Sequence, residues 1–363
     1  MTEILKEVRD AAYLGSHFYS EGIRQLDNVV YDEMLYKTAI LASMVGQFAV
    51  LAAGVPGGGK SEMAFNAYKL IEGIKEEDVA FLPSSMTMTE DQVVGGKLTS
   101  QKIHSQTDAE SSSKTWVETS VVEIDGLIKP ETKGLVIDEI TRMNPYVLNS
   151  LLRLIENKTI NTTAGHVSLE DLIYIVATMN PGESRESSLQ LSSAMVSRYP
   201  VGVIVGNEIS QKHQVHIFEQ NMPDVSKMKP IITEKELAIV RNGVSRVATS
   251  EATKNTAVQW ISDAKDQLVR VLPHSAEGSR VIAQVGKVAR IMTLMRNEIS
   301  VDPRIDLEMA IKFYLGSRIG AQWRDIKSAP DLITAITKAS YPNSNEAIKR
   351  EASDKIQDIL RST

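Results

Sequence analysis

Apolar positions follow two regimes along the chain. Up to about residue 205, short unbroken apolar runs alternate with stretches of helical spacing; beyond about residue 213 only helical spacing remains. The runs at 48–53, 78–82, 134–138, 172–179 and 201–205 have the length and composition of buried strands. Helical stretches separate most of them, which predicts a largely parallel five-stranded sheet with helices on both faces, an α/β fold. Before the first strand, residues 1–27 read as one or two helices, with Ile4, Leu5, Val8, Ala11, Ala12 and Leu14 apolar. Residues 32–46 read as a further helix. Asn144-Pro145 opens another, since Asn suits the N-cap and Pro the first helical position. In the second regime Thr233 and Glu236 form a capping box, and helices are predicted near 234–247, 255–272, 280–297 and 306–319. This predicts an all-α second domain.

The expected division is an N-terminal helical segment at 1–27, a core at 28–212, a helical domain at 213–330 and a polar tail at 331–363, helical in part. Residues 97–131 break the rhythm of the core. Ser, Thr, Gln and charges dominate from Thr99 to Lys114, and Trp116 to Ile128 alternates in part. A short hairpin, a loop crossing the surface and a disordered loop all fit that pattern.

The candidate chemistry begins at Gly54-Val55-Pro56-Gly57-Gly58-Gly59-Lys60-Ser61, which matches G-x-x-x-x-G-K-[ST]. It lies between a predicted strand and a predicted helix, Glu62 to Ile71. That context puts several backbone N–H groups and the positive end of a helix dipole around one point, a site for phosphate. Glycine lets the backbone wrap closely there. Gly54, Pro56, Gly57, Gly58, Gly59, Lys60, Ser61 and the following Glu62 form the nucleotide-binding set. Lys60 would reach the β- and γ-phosphates, and the Ser61 hydroxyl would bind Mg²⁺.

Gly134-Leu135-Val136-Ile137-Asp138-Glu139 is an apolar strand ending in two carboxylates. Ligands of open α/β sheets bind at the carboxyl ends of strands. Asp138 would orient the metal ion, and Glu139 would polarise an attacking water. Asn180, at the tip of the next strand, could position that water or simply cap the following turn. His213 and His216 have i,i+3 spacing, but no third ligand is near in sequence, so surface histidines are the simpler reading.

The formal net charge is −6, whereas a protein gripping a phosphate backbone usually carries a basic surplus. Nucleic acid is therefore not the favoured partner. In the insert Lys97, Lys102, His104 and Lys114 alternate with Asp108, Glu110 and Glu118, as on a solvated face. There is no cysteine, which excludes disulfides and thiolate chemistry. No run of 18 apolar residues suggests a membrane span. The N-terminus is unlike a signal peptide, and a cytoplasmic protein is the simplest expectation.

Taken together, these motifs resemble an AAA+ ATPase, and more closely the MoxR family. The resembling segments are Gly54 to Ser61, Asp138-Glu139-Ile140-Thr141-Arg142, Ala177-Thr178-Met179-Asn180-Pro181, Ser197-Arg198-Tyr199 and, loosely, Gly278-Ser279-Arg280. The resemblance runs from about Asp27 to Ile319. It implies a P-loop NTPase core followed by an all-α lid, with ATP and Mg²⁺ as cofactors. It implies Asn180 as the sensor 1 residue, Arg198 as an arginine finger and Arg280 as a sensor 2 residue at the nucleotide. It also implies a homo-oligomeric, hexameric ring acting on a protein client, with a von Willebrand factor A domain protein as a possible partner. Residues 97–131 would then be an insert near the ring pore. The alternative is a nucleic-acid-associated NTPase, a helicase loader or a restriction-type translocase, which shares the core chemistry.

Overall fold

The computed structural model describes residues 2–30, 32–107, 113–124, 126–162, 165–181, 191–206, 224–273, 280–323 and 325–362. Five strands form one sheet: β1 (Ala49–Gly54), β2 (Val79–Pro83), β3 (Gly134–Asp138), β4 (Tyr174–Met179) and β5 (Val201–Val205). Their order is β5-β1-β4-β3-β2, and every pairing is parallel. All five predicted strands are present, and the parallel sheet is as expected. Each residue of β1 is buried. Val50 and Ala52 enter one hydrophobic cluster while Leu51 and Ala53 enter the other, the period-two alternation of a strand covered on both faces.

Before and within the sheet run α1 (Thr2–Leu26), α2 (Met34–Gly46), α3 (Lys60–Asn66), α4 (Glu90–Val94), α5 (Pro145–Asn157) and α6 (Ser193–Val196). After it come α7 (Glu234–Val244), α8 (Glu251–Val271), α9 (Arg280–Met295), α10 (Glu308–Gln322), α11 (Ala329–Ser340) and α12 (Glu346–Ser362). The predicted caps are in place. The Asn144 side chain accepts from Tyr146 N–H, and Thr233 and Glu236 cap reciprocally. On one face of the sheet α5 buries Val147, Leu148, Leu151 and Leu154.

The region after the sheet is all helical, as expected, and it packs on the other face. The helices after the sheet do not form a core of their own. Leu237, Trp260, Ile291, Leu294, Phe313 and Ile336 share one cluster with Val50, Val176 and Val203 of the sheet. Helix α10 lies against β5 so closely that a Cβ on Gly202 would meet the Ser317 Cα at 2.1 Å. Helix α1 is single and joins the same cluster through Ala11, Ala12, Phe18 and Leu26. The stretch read as a polar tail is α11 and α12, which pack on each other. Leu332, Ile336, Ile356 and Ile359 are buried at helical spacing, a narrow stripe that the surrounding charges obscure in the sequence.

The insert is also more regular than a short hairpin. Gly96–Thr107 and Ser113–Ile124 pair antiparallel from Gly96↔Ile124 to Thr107↔Ser113. Asp108 and Glu110 lie outside the described residues, as do the side chains of Lys97, Lys102, His104, Lys114 and Glu118. A second, shorter ribbon joins Thr159–Thr162 to Gly165–Ser168 between α5 and β4. No helix among the described residues is long and apolar enough to cross a membrane.

Candidate active site

Parallel pairing brings the carboxyl ends of β1, β3 and β4 to one edge of the sheet, where Lys60, Ser61, Asp138, Glu139 and Asn180 converge. The chain leaves β1 at Gly54, turns through Gly57 and Gly59 at φ +82° and +67°, and enters α3 at Lys60. These dihedrals suit glycine and few other residues. The turn leads straight to a helix N-terminus, as an anion-binding loop requires. From α2 the buried Tyr36 hydroxyl donates to the Lys60 carbonyl at 2.6 Å, fixing the start of α3. Burial pushes the Tyr36 hydroxyl well above its ordinary pKa, so it stays a donor.

Lys60 is buried, and its ammonium donates to Gly54 O at 3.0 Å, Val55 O at 2.7 Å and Asn180 Oδ1 at 2.9 Å. The Asn180 amide in turn donates to Glu139. One amide thus bridges the lysine of the loop to the carboxylate at the end of β3. Glu139 itself sits at φ +54°, an uncommon conformation for a residue with a Cβ. This turns the chain sharply off β3 beside the loop. Asp138 accepts from the Ser61 hydroxyl and, at 2.7 Å, from the Thr178 hydroxyl. Thr178 is fully buried and also accepts from the Glu139 N–H at 3.1 Å. Sequence reasoning treated Thr178 as part of a motif and gave it no role. Its signal was present: a polar residue inside an otherwise apolar strand, two residues before Asn180.

The donor set at Ser61 and Asp138 is two hard oxygens beside a phosphate-binding loop. This suits Mg²⁺, which takes oxygen ligands and often completes its shell with phosphate and water. Among the described residues no group of three or more His, Asp or Glu side chains gathers as a metal cage. His213 and His216 lie outside the described residues. Close by, Glu33 accepts a backbone hydrogen bond from Gly206 and feels Lys37 and Lys60, yet burial dominates and pushes its carboxyl up to about 7.

Arg198 and Arg280 are elsewhere. Arg198 follows α6 and precedes β5, so it lies at the amino end of the sheet. A cavity of about 270 Å³ at that end is lined by Ala49, Glu156, Arg198, Arg280, Gln284 and Lys287. Ala49 starts β1 and Gly54 ends it, so the strand between this cavity and the loop spans roughly 17 Å. Arg280, which the resemblance makes a nucleotide-binding residue, is therefore not beside the loop of its own chain. It pairs with Glu156 Oε1 at 2.6 Å, while Arg198 pairs with Glu156 Oε2 at 2.8 Å. The reason is the packing of α9, which belongs to the shared core and carries Arg280 on its first turn.

The segment bearing Arg198 is gripped from both sides. Gln284 donates to Ser197 O at 3.3 Å, and the buried Arg318 donates to Tyr199 O at 2.9 Å. Nearby, Lys287 donates to Gly46 O at 2.5 Å and Arg241 to Met44 O at 2.8 Å, so two cations cap the C-terminus of α2. Burial and their mutual repulsion lower the pKa of Lys287, and burial lowers that of Arg241 to about 10.

The sheet order, the glycine loop at a helix start and the paired carboxylates are those of an ATP-hydrolysing P-loop core with the AAA+ fold. Residues 49–199 match the AAA domain of the dynein-related subfamily. The chain is 22% identical over 183 residues to YeaC, an uncharacterized protein of Bacillus subtilis strain 168, covering 50% of this chain and 56% of that one. The crystal structure of a candidate ATPase from Cytophaga hutchinsonii superposes with a TM-score of 0.66 at 16% identity, over 91% of this chain and 97% of the other. That likeness extends the shared fold into the C-terminal helices.

Proposed function

We propose that this protein is a ring-forming, MoxR-like AAA+ ATPase that couples Mg²⁺-dependent ATP hydrolysis to remodelling or maturation of a protein client. The observation that carries the reading is the separation of two clusters. Lys60, Ser61, Asp138, Glu139 and Asn180 meet at one end of β1, while Arg198 and Arg280 share Glu156 at the other. An arginine required at the γ-phosphate would then come from a neighbouring copy, as a ring supplies it.

In this reading the loop N–H groups and Lys60 bind the phosphates, and Ser61 and Asp138 hold the metal ion. Bound Mg²⁺ would neutralise charge on the β- and γ-phosphates. Glu139 takes the proton of the attacking water, and Asn180 fixes the orientation of that carboxylate. The ribbon at 96–124 follows α4 and precedes β3, where the resemblance puts a pore-facing insert. The acidic balance favours a protein client over nucleic acid. The hexameric state, the von Willebrand factor A domain partner and cytoplasmic location rest on the family resemblance.

Dilution tests the reading. ATP turnover per chain should collapse below the concentration at which the particles seen by light scattering in ATP and Mg²⁺ dissociate. Constant turnover per chain by monomers would remove the ring from the account.

A further inference from the structure

The arginine cluster contains a group that nothing above uses. Glu156, on the last turn of α5, binds two arginines at once. Its Oε2 accepts from Arg198 Nε at 3.1 Å and pairs with Nη2 at 2.8 Å, and its Oε1 accepts from Arg280 Nη2 at 2.6 Å. The remaining edge of Arg198 donates through Nη1 to Ala194 O at 2.6 Å. An arginine presents five N–H donors in a fixed fork, and here each of the three nitrogens of Arg198 is turned to a partner on its own chain. To bind a phosphate outside the chain, it must leave Glu156.

We infer that Glu156 is a latch: it holds Arg198 and Arg280 together within the subunit and yields both to the terminal phosphate of a nucleotide on a neighbouring copy. The inference rests on the shared-site reading proposed above and adds a competitor for its two arginines.

Three features support a latch over a permanent support. The first is charge. Among the described residues Arg198, Arg280 and Lys287 line the cavity with one acid, Glu156, so those walls keep a positive excess even when latched. A triphosphate offers more charge and more acceptor oxygens than one carboxylate and suits the planar guanidinium. The second is accessibility. The side chains of Glu156, Arg198 and Arg280 retain 31%, 20% and 50% of their exposure, and ion pairs open to solvent are weak. The third is backbone support. Gln284 and Arg318 hold the carbonyls either side of Arg198, so its side chain can swing while its segment stays fixed. Because one carboxylate serves an arginine from the core and another from α9, release of one loosens the other.

The test compares wild type, Glu156→Gln and Arg198→Ala, each confirmed folded by circular dichroism. ATP turnover per chain and particle mass are followed against protein concentration at fixed ATP and Mg²⁺. Glu156→Gln should assemble and reach half-maximal turnover at a roughly two- to twentyfold lower protein concentration, the range two exposed ion pairs allow. Its maximal rate should stay within about twofold of wild type. An unshifted midpoint overturns the latch, and so does a loss of rate like that of Arg198→Ala, which would make Glu156 a required support. In both cases an inactive Arg198→Ala and a concentration-dependent wild type leave the shared-site reading standing. Concentration-independent wild-type turnover would remove that reading and the latch with it.

Discussion

The two ends of β1 differ in how their charges are matched. At the carboxyl end each polar group meets a partner from its own chain: Lys60 with Asn180, Asn180 with Glu139, Asp138 with Ser61 and Thr178. At the amino end three cations line a cavity with one carboxylate between them. The first arrangement is closed and rigid, as a preorganised site should be. The second holds two arginines on one partly exposed carboxylate, with Lys287 beside them on Gly46 O. The contrast is what the proposed sharing of a site between copies would require, one end complete and the other exposing its arginines.

The comparison predicts effects of graded size. Arg198→Ala should lower turnover by about 10³–10⁵ while ATP affinity, measured by calorimetry, stays within a few fold. An active variant would reduce Arg198 to a helix-end cation. Glu139→Gln should lower turnover by about 10²–10⁴ and keep ATP bound, whereas Lys60→Ala should lose the nucleotide itself. Equal affinity losses in both would break the distinction between phosphate binding and water activation.

Thr178→Val sharpens the account of the closed end. It removes a buried hydroxyl that donates to Asp138 and accepts from the Glu139 N–H, so both of those bonds are lost. Denaturant unfolding should show a loss of about 1–3 kcal/mol. A neutral result would mean that the network rearranges at no cost.

A further effect concerns pH. Glu33 has a folded pKa raised from 4.5 to about 7, so the native state binds the extra proton between those values. Its contribution is fully present below pH 4.5 and is lost as pH rises through 7. Glu33→Gln has no charge to bury, so its melting temperature relative to wild type should climb between pH 5 and pH 8. A constant difference across that range would contradict the burial argument.

The sheet and its catalytic edge were legible because short apolar runs and the Gly-Lys-Ser and Asp-Glu strings are local signals. Three features were not. The stripe of α11 and α12 is thin, with Ile356 and Ile359 set among Lys, Glu and Asp, so composition reads as a tail. The shared core of α10 and β5 depends on Gly202 facing Gly316 and Ser317, a contact more than a hundred residues apart in sequence. Arg280 is a nucleotide-binding residue only by resemblance, and its place at the far end of the sheet follows from the packing of α9, which no local pattern encodes. Thr178 was visible as a polar residue in an apolar strand, but its two partners become evident only once β3 and β4 lie side by side.

The most direct test of a site shared between copies is complementation. Arg198→Ala and Glu139→Gln are each purified, shown inactive and mixed at equal amounts, with mixed particles confirmed by native mass spectrometry. An Arg198→Ala subunit keeps its own Glu139, and a Glu139→Gln neighbour supplies Arg198, so roughly a quarter of interfaces carry both groups if the arginine acts across the interface. Turnover should reappear on mixing. Mixed particles that stay silent would contradict the account, because a site confined to one chain leaves a defect in every subunit.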